Sequence, residues 1–423
     1  MKEAFLHYLW KFKKMDVLHL RTTTNEEIQI IAVGQYLEKA GPDFFNAQLI
    51  IGSQKWAGNV EIHLKSSDWY VHNHERDEAY ENVILHVVWE HDSEIFRKDN
   101  SCIPVLELKN YVDHKLVLSY QDLVASKSWI FCEKYIKSVD PFTFSNWQEV
   151  LFLERLERKS LPILELLKRS NNDWEAVLFC LLAKNFGLNT NGDAFLKMAS
   201  SIPFSVIRKE CSDVFALESL FFGSVGLLEL DREDTYFKEL KKRYTYLSHK
   251  YRLEENVVEK VQFFKHRPDN FPTIRLAQLA GVYHHHHNLF SKLIDCKSMT
   301  AIYAVFDVFV SDYWENHYVF DKVSPSKRKK LSRSFIDLIL INTIIPLRFT
   351  YDRSQGKDNV EDLIQLLNDV SAEKNVVIEK FASFGIKSKN AFDSQSLLQL
   401  KNEYCNRSRC LECAVGIRLL KQP

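Results

Sequence analysis

The chain has 423 residues, of which 46% are hydrophobic and 26% charged, and it contains only 12 glycines and 10 prolines. This composition excludes disordered, collagen-like and low-complexity proteins, and the length predicts two or three compact units. Lys and Arg together number 56, as do Asp and Glu, so nucleic-acid binding would need a local surface rather than a global charge. No uninterrupted apolar run reaches the roughly 18 residues of a membrane span. We therefore expect a cytoplasmic protein without membrane association.

The predicted elements of the N-terminal part are a helix followed by a mixed sheet. Helical spacing of apolar residues predicts the first helix over Lys2 to Lys14. Alternating or β-branched runs bounded by turn residues predict strands over Ile28 to Gly34, Ala47 to Ile51, Gly58 to Lys65, Asn82 to Glu90 and Cys102 to Leu108. A short polar helix over His74 to Glu81 is predicted to cross between two of these strands.

The pattern becomes helical after about residue 140. Predicted helices cover Trp147 to Arg169, Trp174 to Phe186, Thr235 to Lys250, Glu254 to Phe264, Thr273 to Val282, Lys327 to Pro346 and Val360 to Leu367. The expected fold class is α+β or α/β: a mixed-sheet domain over residues 1–125 and a mostly helical domain over residues 140–423. The first 115 residues hold 8 of the 15 histidines and are net acidic, a composition typical of a metal-attracting region.

The strand Gly58 to Lys65 carries the chemistry of this domain. Because side chains alternate along a strand, Glu61, His63 and Lys65 share one face. Asp43 follows Pro42 at the entrance to the preceding strand, so a hairpin would bring it towards Glu61. Two carboxylates at a strand rim are suited to Mg²⁺ or Mn²⁺, which prefer oxygen ligands.

A second polar group follows in the predicted crossover. His72, His74 and Asp77 form a His-x-His-x-x-Asp pattern, which can ligate a transition metal or place imidazoles near a phosphate. The plain alternative is that these polar residues solvate a sheet edge or cap a helix.

The residues from Asp43 to Asp77 resemble the site of the PD-(D/E)xK nuclease superfamily. Asp43 and Glu61 match its two acidic positions, whereas His63 stands where the superfamily has Lys, with Lys65 one strand repeat further on. In the very-short-patch-like nucleases of this superfamily a histidine and an acidic residue of the crossover similarly flank the metal centre. The resemblance implies a helix, a mixed sheet and a crossover helix around a metal-dependent nuclease site.

The whole chain also resembles a bacterial family of proteins of unknown function. The resemblance rests on Gly-Asn-Val-Glu-Ile-His at 58–63, on Arg-Pro-Asp-Asn-Phe-Pro-Thr-Ile-Arg-Leu-Ala at 267–277 and on the terminal cysteine motif. It implies no activity.

That motif, Cys405, Cys410 and Cys413, has the spacing Cys-x4-Cys-x2-Cys. A Cys-x2-Cys pair allows two thiolates to bind one metal from a tight turn, and a fourth ligand would come from elsewhere. The candidates are Cys296, Cys211, Cys180 or a histidine. Zinc is one expected metal, and a [4Fe-4S] cluster is the other, because several nucleases of the superfamily hold one with a remote cysteine and a C-terminal trio.

Two functional hypotheses follow. The first is a metal-dependent phosphodiesterase acting on DNA or RNA, in which Asp43 and Glu61 hold the metal and His63 or Lys65 orients water. His72, His74 and Asp77 would then complete the site. The alternative is a non-catalytic interaction protein on a nuclease-like scaffold with a structural metal at the cysteines. A zinc-dependent hydrolase of a small substrate is a third possibility, and the sequence does not identify protein partners.

Overall fold

The computed structural model describes residues 1–37, 41–125, 128–253, 260–264 and 266–420. The fold class is α+β, with an N-terminal mixed sheet followed by a mostly helical region. The chain divides into two compact units. The first comprises Met1–Trp147, Ser383–Ile386 and Leu400–Pro423, and the second comprises Gln148–Ala382 and Lys387–Gln399. The cysteine motif thus belongs to the first unit, whereas the sequence assigned it to the helical domain.

The first unit is built on a six-stranded mixed sheet. Its strands are β1 Ile28–Ala32, β2 Gln35–Tyr36, β3 Phe44–Ile51, β4 Gln54–Lys65, β5 Val83–Glu90 and β6 Val105–Glu107. The order is β1-β3-β4-β5-β6, and β2 pairs with β3. The β3–β4 pair is antiparallel, whereas β4–β5 and β5–β6 are parallel.

The first unit also contains helices and short turns. They are α1 Glu3–Lys11, α2 Asp68–Val71 and α3 His114–Ala125, with 3-10 turns at His74–Arg76, Glu78–Tyr80, Leu108–Asn110 and Ile136–Ser138. The start of α4, which spans Pro141–Arg169, also belongs to this unit. The C-terminal part contributes a π-helical segment, Leu400–Cys405, and a terminal helix, Ala414–Leu420.

Strand β4 is buried on both faces. Every residue from Gly58 to His63 is buried, whereas most of the residues before Gly58 and the final residue, Lys65, are exposed. Apolar and ionisable side chains alternate along the strand as predicted, but the face that carries Glu61 and His63 is also buried inside the protein. Central strands with parallel neighbours are commonly covered on both sides. Burial changes the chemistry of Glu61 and His63, because neither can rely on bulk water to stabilise charge.

The crossover from β4 to β5 differs from the predicted helix over His74–Glu81. The α-helical turn lies earlier, at α2, and two 3-10 turns follow it. Asn73 has a φ of 59° and breaks the helix before His74. The Asp77 carboxylate then accepts a hydrogen bond from the Ala79 amide and caps the second 3-10 turn. Short polar side chains favour such local turns over a continuous helix.

The second unit is mostly helical around one large apolar core. Its helices are the rest of α4, α5 Trp174–Phe186, α6 Leu188–Ser201, α7 Phe204–Glu210, α8 Val214–Ser224, α9 Thr235–Tyr251, α10 Pro272–His285, α11 Leu289–Asp295, α12 Met299–Val305, α13 Asp312–Glu315, α14 Arg333–Ile339, α15 Ile345–Ser354, α16 Val360–Asn368, α17 Val376–Ser383 and α18 Ala391–Gln399. A 3-10 turn lies at Pro268–Asn270, and a small antiparallel pair is formed by β7 His317–Val319 and β8 Lys322–Val323.

The helical predictions were accurate where amphipathic periodicity was strong. The helix Trp174–Phe186 has the predicted bounds, but the helix predicted from Lys327 begins only at Arg333. In the predicted helix Glu254–Phe264, residues 254–259 lie outside the described residues and residues 260–264 are not helical.

Among the residues that the structure describes, one helix is long and apolar enough to cross a membrane. It is the continuous stretch Arg333–Ser354, which includes a π-helical turn at Leu340–Ile344 and has a mean hydropathy of 1.3 over its most apolar window. Within the protein, 72% of that window is buried. Its apolar side chains are part of the core of the second unit, which is the environment of a core helix.

A candidate metal centre in the first unit

The β3–β4 hairpin brings Asp43 beside Glu61. Phe44 pairs with Val60 in the antiparallel register. Asp43, which precedes Phe44, therefore lies opposite Glu61, which follows Val60. The Asp43 amide donates to Glu61 Oε2 at 3.1 Å, and the Ile62 amide donates to Asp43 Oδ2 at 3.0 Å. These reciprocal bonds hold the two carboxylates next to each other.

Glu61 is placed where its negative charge is poorly tolerated. Only 5% of the residue is exposed. Burial, followed by the repulsion of the Asp43 carboxylate, raises the pKa of Glu61 to about 9. Without a cation this carboxyl group therefore holds a proton at neutral pH, and a bound cation would displace that proton.

Helix α1 contributes a histidine that the sequence analysis missed. His7 Nε2 lies 3.2 Å from Asp43 Oδ2, and this nitrogen is buried without a hydrogen-bond partner among the described residues. Glu3 lies one turn earlier in the same helix. Burial raises the pKa of Glu3, and the nearby His7 opposes this increase. The i, i+4 spacing of Glu3 and His7 was a weak signal of a shared helix face.

His63 is the most enclosed of the predicted site histidines, with 2% exposure. Its Nδ1 lies 2.8 Å from His86 Nε2, and its Nε2 lies 3.0 Å from His72 Nδ1. Burial, reinforced by His74 and His72, lowers the pKa of His63 to about 3. The imidazole is therefore neutral and does not reproduce the permanent charge of a lysine, but a neutral imidazole is the form that ligates metals.

His74 reaches the same carboxylate from the crossover. Its Nε2 lies 3.4 Å from Glu61 Oε1, and His63 Nε2 lies 3.5 Å from the same oxygen. The His74 ring stacks on Tyr80 at a centroid distance of 3.7 Å, and burial lowers the pKa of His74. The ligand nitrogens of His63, His72 and His74 all lie within 4.8 Å of one another. This separation allows the three imidazoles to share one ion.

His86 supports this cluster from β5. It pairs with Glu61 in the parallel β4–β5 register and is fully buried. Burial holds the pKa of His86 well below its usual value. The contact between His86 Nε2 and His63 Nδ1 orients the His63 ring, in the way that a hydrogen-bond partner commonly fixes a ligating histidine. His86 lies within the predicted strand Asn82 to Glu90, but the spacing of residues along the chain could not assign its contact with His63.

Two of the predicted site residues have other contacts. The Lys65 ammonium lies at the exposed end of β4, 3.9 Å from the Asp92 carboxylate. Asp77 caps the 3-10 turn through Ala79, and its charge partly offsets the lowering of the His74 pKa by burial. The structure therefore brings together Asp43, Glu61, His63, His72 and His74, with His7 and His86 added, and gives Lys65 and Asp77 separate local partners.

The cysteine trio is likewise in the first unit. The sequence proposed Cys180, Cys211, Cys296 or a histidine as the fourth ligand, and the three cysteines belong to the second unit. Within the first unit, Cys132 lies near the trio, because the charges of Cys405, Cys410 and Cys413 each act on its thiol. No local pattern around Cys132 marked it as a ligand.

Comparison with known families matches residues 3–376 to the family described as "Protein of unknown function (DUF2851)". The chain belongs to this family. No curated protein and no solved structure matches the chain significantly. The matched segment contains the carboxylate and histidine cluster and Cys132, and it ends before the C-terminal cysteine trio.

The buried Glu61 predicts a pH dependence of stability in metal-free DUF2851 protein. A carboxyl group with a raised folded pKa stabilises the fold below its unfolded pKa of about 4.5, and this contribution is lost as the pH rises through about 9. We expect metal-free Glu61→Gln to exceed the wild type in stability at pH 8, by on the order of a few kcal/mol, and to match it near pH 4. Urea denaturation at both pH values measures the difference. Equal pH profiles for the two proteins would contradict the raised pKa.

Proposed function

We propose that the first unit of this DUF2851 protein is a metal-dependent phosphodiesterase that cleaves DNA or RNA. The observation that carries the proposal is the convergence of two carboxylates, Asp43 and Glu61, with three imidazoles whose nitrogens lie within 4.8 Å of one another. Sites that combine ionisable groups of strongly shifted pKa in one cluster are more often functional than structural.

The residues fit a divalent cation. Burial, followed by the charge of the adjacent Asp43, raises the pKa of Glu61, so a cation at this position would offset the cost of ionising it. His7 Nε2 and His74 Nε2 are buried without hydrogen-bond partners among the described residues, and each points at one of the carboxylates. Asp43 and Glu61 would hold Mg²⁺ or Mn²⁺, and the imidazole donors favour Mn²⁺ because nitrogen ligands suit transition metals. When bound, the cation supplies hydroxide at neutral pH and stabilises charge on the reacting phosphate.

The histidines provide a route for the proton released from the attacking water. His86, His63 and His72 form a chain of imidazole contacts of 2.8 and 3.0 Å. The chain begins at the fully buried His86 and ends at His72, which is exposed. His63 Nε2 lies beside both Glu61 and His72. Because burial lowers the pKa of His63, this imidazole would not store the proton but would relay it from the carboxylates to His72 at the surface.

The choice of nucleic acid as substrate rests on the resemblance to the PD-(D/E)xK nucleases. The order of the strands supports this choice. Asp43 lies at the start of the β3–β4 hairpin, and β4 carries Glu61 and His63 and pairs in parallel with β5. Because the chain has no net charge, substrate would be held by local contacts with phosphates rather than by long-range attraction.

The test is a cleavage assay on the full chain after removal of metals with a chelator. We expect Mn²⁺ to restore cleavage of single-stranded or branched DNA, with weaker restoration by Mg²⁺. The panel should include duplex DNA, RNA and a small phosphodiester. Absence of metal-dependent cleavage of every substrate would overturn the proposal in favour of a non-catalytic interaction protein. Cleavage of the small phosphodiester alone would retain the hydrolase and reject the nucleic-acid substrate.

A further inference from the structure

The second unit contains a cavity of about 240 Å³. It lies between α4, α5, α6 and the continuous helix formed by α14, the π-helical turn and α15. Each of α4, α5, α6 and α15 contributes at least one apolar side chain to its walls, among them Leu166, Leu181 and Pro346. Cavities that hold drug-sized ligands usually measure about 300 to 1,000 Å³. This cavity therefore suits a smaller molecule with an apolar part.

The charged residues that line the cavity are mostly cations. Lys159, Arg169 and Lys184 line it together with a single carboxylate, that of Glu165. The Lys184 ammonium also lies 3.8 Å from the Asp193 carboxylate, but both side chains are largely exposed, and water and salt weaken such a pair. When all of the lining groups are ionised, two positive charges are in excess. A cavity lined by charges of one sign concentrates ions of the opposite sign.

Two cations share one neutral acceptor at the wall of the cavity. The Lys159 ammonium donates to Asn342 Oδ1 at 3.0 Å, and Arg155 Nη2 donates to the same oxygen at 3.3 Å. Arg155 is 7% exposed and also donates to Gln395 Oε1, and the Gln395 amide nitrogen donates to the Glu373 carboxylate. An amide group thus lies between this guanidinium and that carboxylate, so the positive charges are only partly balanced.

The balance of nearby charges acts on the Lys159 ammonium. Burial, followed by the charges of Arg155, Arg158 and Lys184, lowers the pKa of Lys159 to about 7, and Glu373 opposes this decrease. An anion placed beside the ammonium would favour its charged form. The position of Lys159 thus gains from a bound anion.

The shared acceptor is positioned by the π-helical turn Leu340–Ile344. Asn342 Nδ2 donates to the Leu338 carbonyl at 3.2 Å, which leaves its Oδ1 for the two cations. The next residue, Thr343, accepts a hydrogen bond from Asn185 Nδ2 at 2.7 Å. Asn342 takes one of the three N–H donors of Lys159, and the others can donate to a ligand. Single π-helical turns within helices occur frequently at functional sites.

We propose that this cavity binds a small phosphate monoester, with Lys159, Arg169 and Lys184 as the groups that hold the phosphate. A phosphate monoester carries a charge of about −1.5 to −2 at pH 7 and has three strong acceptor oxygens, which matches the two excess positive charges of the lining. A carboxylate would neutralise only one of them. The apolar walls would contact the organic part of the ligand. All of these residues belong to the second unit, so the site shares none with the proposed phosphodiesterase.

The test is calorimetric titration of the full chain, freed of metals, with inorganic phosphate, phenyl phosphate and benzoate. We expect both phosphates to bind at one site per chain, and phenyl phosphate to bind more tightly because its ring can contact the apolar walls. Lys159→Met and Lys184→Gln should each weaken the binding of phenyl phosphate by at least about tenfold, the loss expected for one charge-assisted hydrogen bond.

Lys168→Gln is the matched control. Lys168 is an exposed lysine of α4 that does not line the cavity, so its substitution should leave the affinity unchanged within about twofold. Methionine replaces Lys159 by an unbranched, uncharged side chain, and circular dichroism checks that the variant is folded. Lys184 is about half exposed, so Lys184→Gln tests the same site if Lys159→Met does not fold.

Four outcomes would overturn the phosphate site. The first is a wild type that binds neither phosphate, and the second is unchanged affinity in the folded variants at Lys159 and Lys184. Benzoate that binds as tightly as phenyl phosphate would establish a carboxylate site instead. Displacement of phenyl phosphate by a single-stranded oligonucleotide would assign the cations to nucleic acid. Because the titration uses no metal and no cleavage, its failure would leave the phosphodiesterase proposal intact.

Discussion

Glu61→Gln and Asp43→Asn should each lower metal-dependent cleavage by at least about 100-fold. Both substitutions preserve size and hydrogen-bonding capacity, but each removes the charge that would balance the cation. The Asp43 amide can still donate to a glutamine oxygen at position 61, and the Ile62 amide can still donate to an asparagine oxygen at position 43. The hairpin should therefore stay folded while metal affinity and rate fall together. Single-turnover assays and calorimetric titration with Mn²⁺ measure the two quantities.

Glu90→Gln is the matched control for these two variants. Glu90 lies at the exposed end of β5, in the strand that pairs with β4. Removal of its charge should leave both the rate and the Mn²⁺ affinity unchanged within about twofold. Persistent cleavage in Glu61→Gln at wild-type rate would show that the carboxylate pair is not the catalytic centre.

His63→Asn should lower the cleavage rate by about 10 to 100-fold at saturating Mn²⁺, the effect expected of a positioned proton-transfer group. Asparagine preserves polarity in the buried position, but it cannot accept a proton near Glu61 and pass it on to His72. An asparagine at position 63 would interrupt the chain of imidazole contacts from His86 to His72, and with it the proposed proton route to the surface. We expect the pH dependence of the rate to change as well.

Excess Mn²⁺ distinguishes the possible roles of His63. If the lost rate is fully restored by raising the Mn²⁺ concentration, His63 is a metal ligand alone and the proton route is wrong. His19→Asn is a suitable control, because His19 is an exposed histidine of the same unit that pairs with Asp16. Its substitution should change neither the rate nor the metal dependence.

Local sequence patterns predicted those features of the candidate site that depend on the spacing of residues within one strand, turn or crossover. The period of two along β4 placed Glu61 and His63 on one face, and the turn at Pro42 placed Asp43 at the start of the paired strand. The His-x-His spacing brought His72 and His74 into one crossover. The same reasoning also predicted Lys65 as a site residue, because alternation does not report that the strand becomes exposed at its end.

The sequence alone placed a mixed sheet before a mostly helical region, although it left α+β and α/β both open, and it predicted the contact between Asp43 and Glu61. Each of these features depends on the spacing of residues along a strand, turn or helix. Only the tertiary structure decided which distant groups join them: His7 from α1, His86 from β5 and Cys132 from a loop far from the trio. These contacts depend on how the apolar surfaces of separate elements pack. Packing also buries β4 on both faces, which raises the pKa of Glu61 and lowers that of His63.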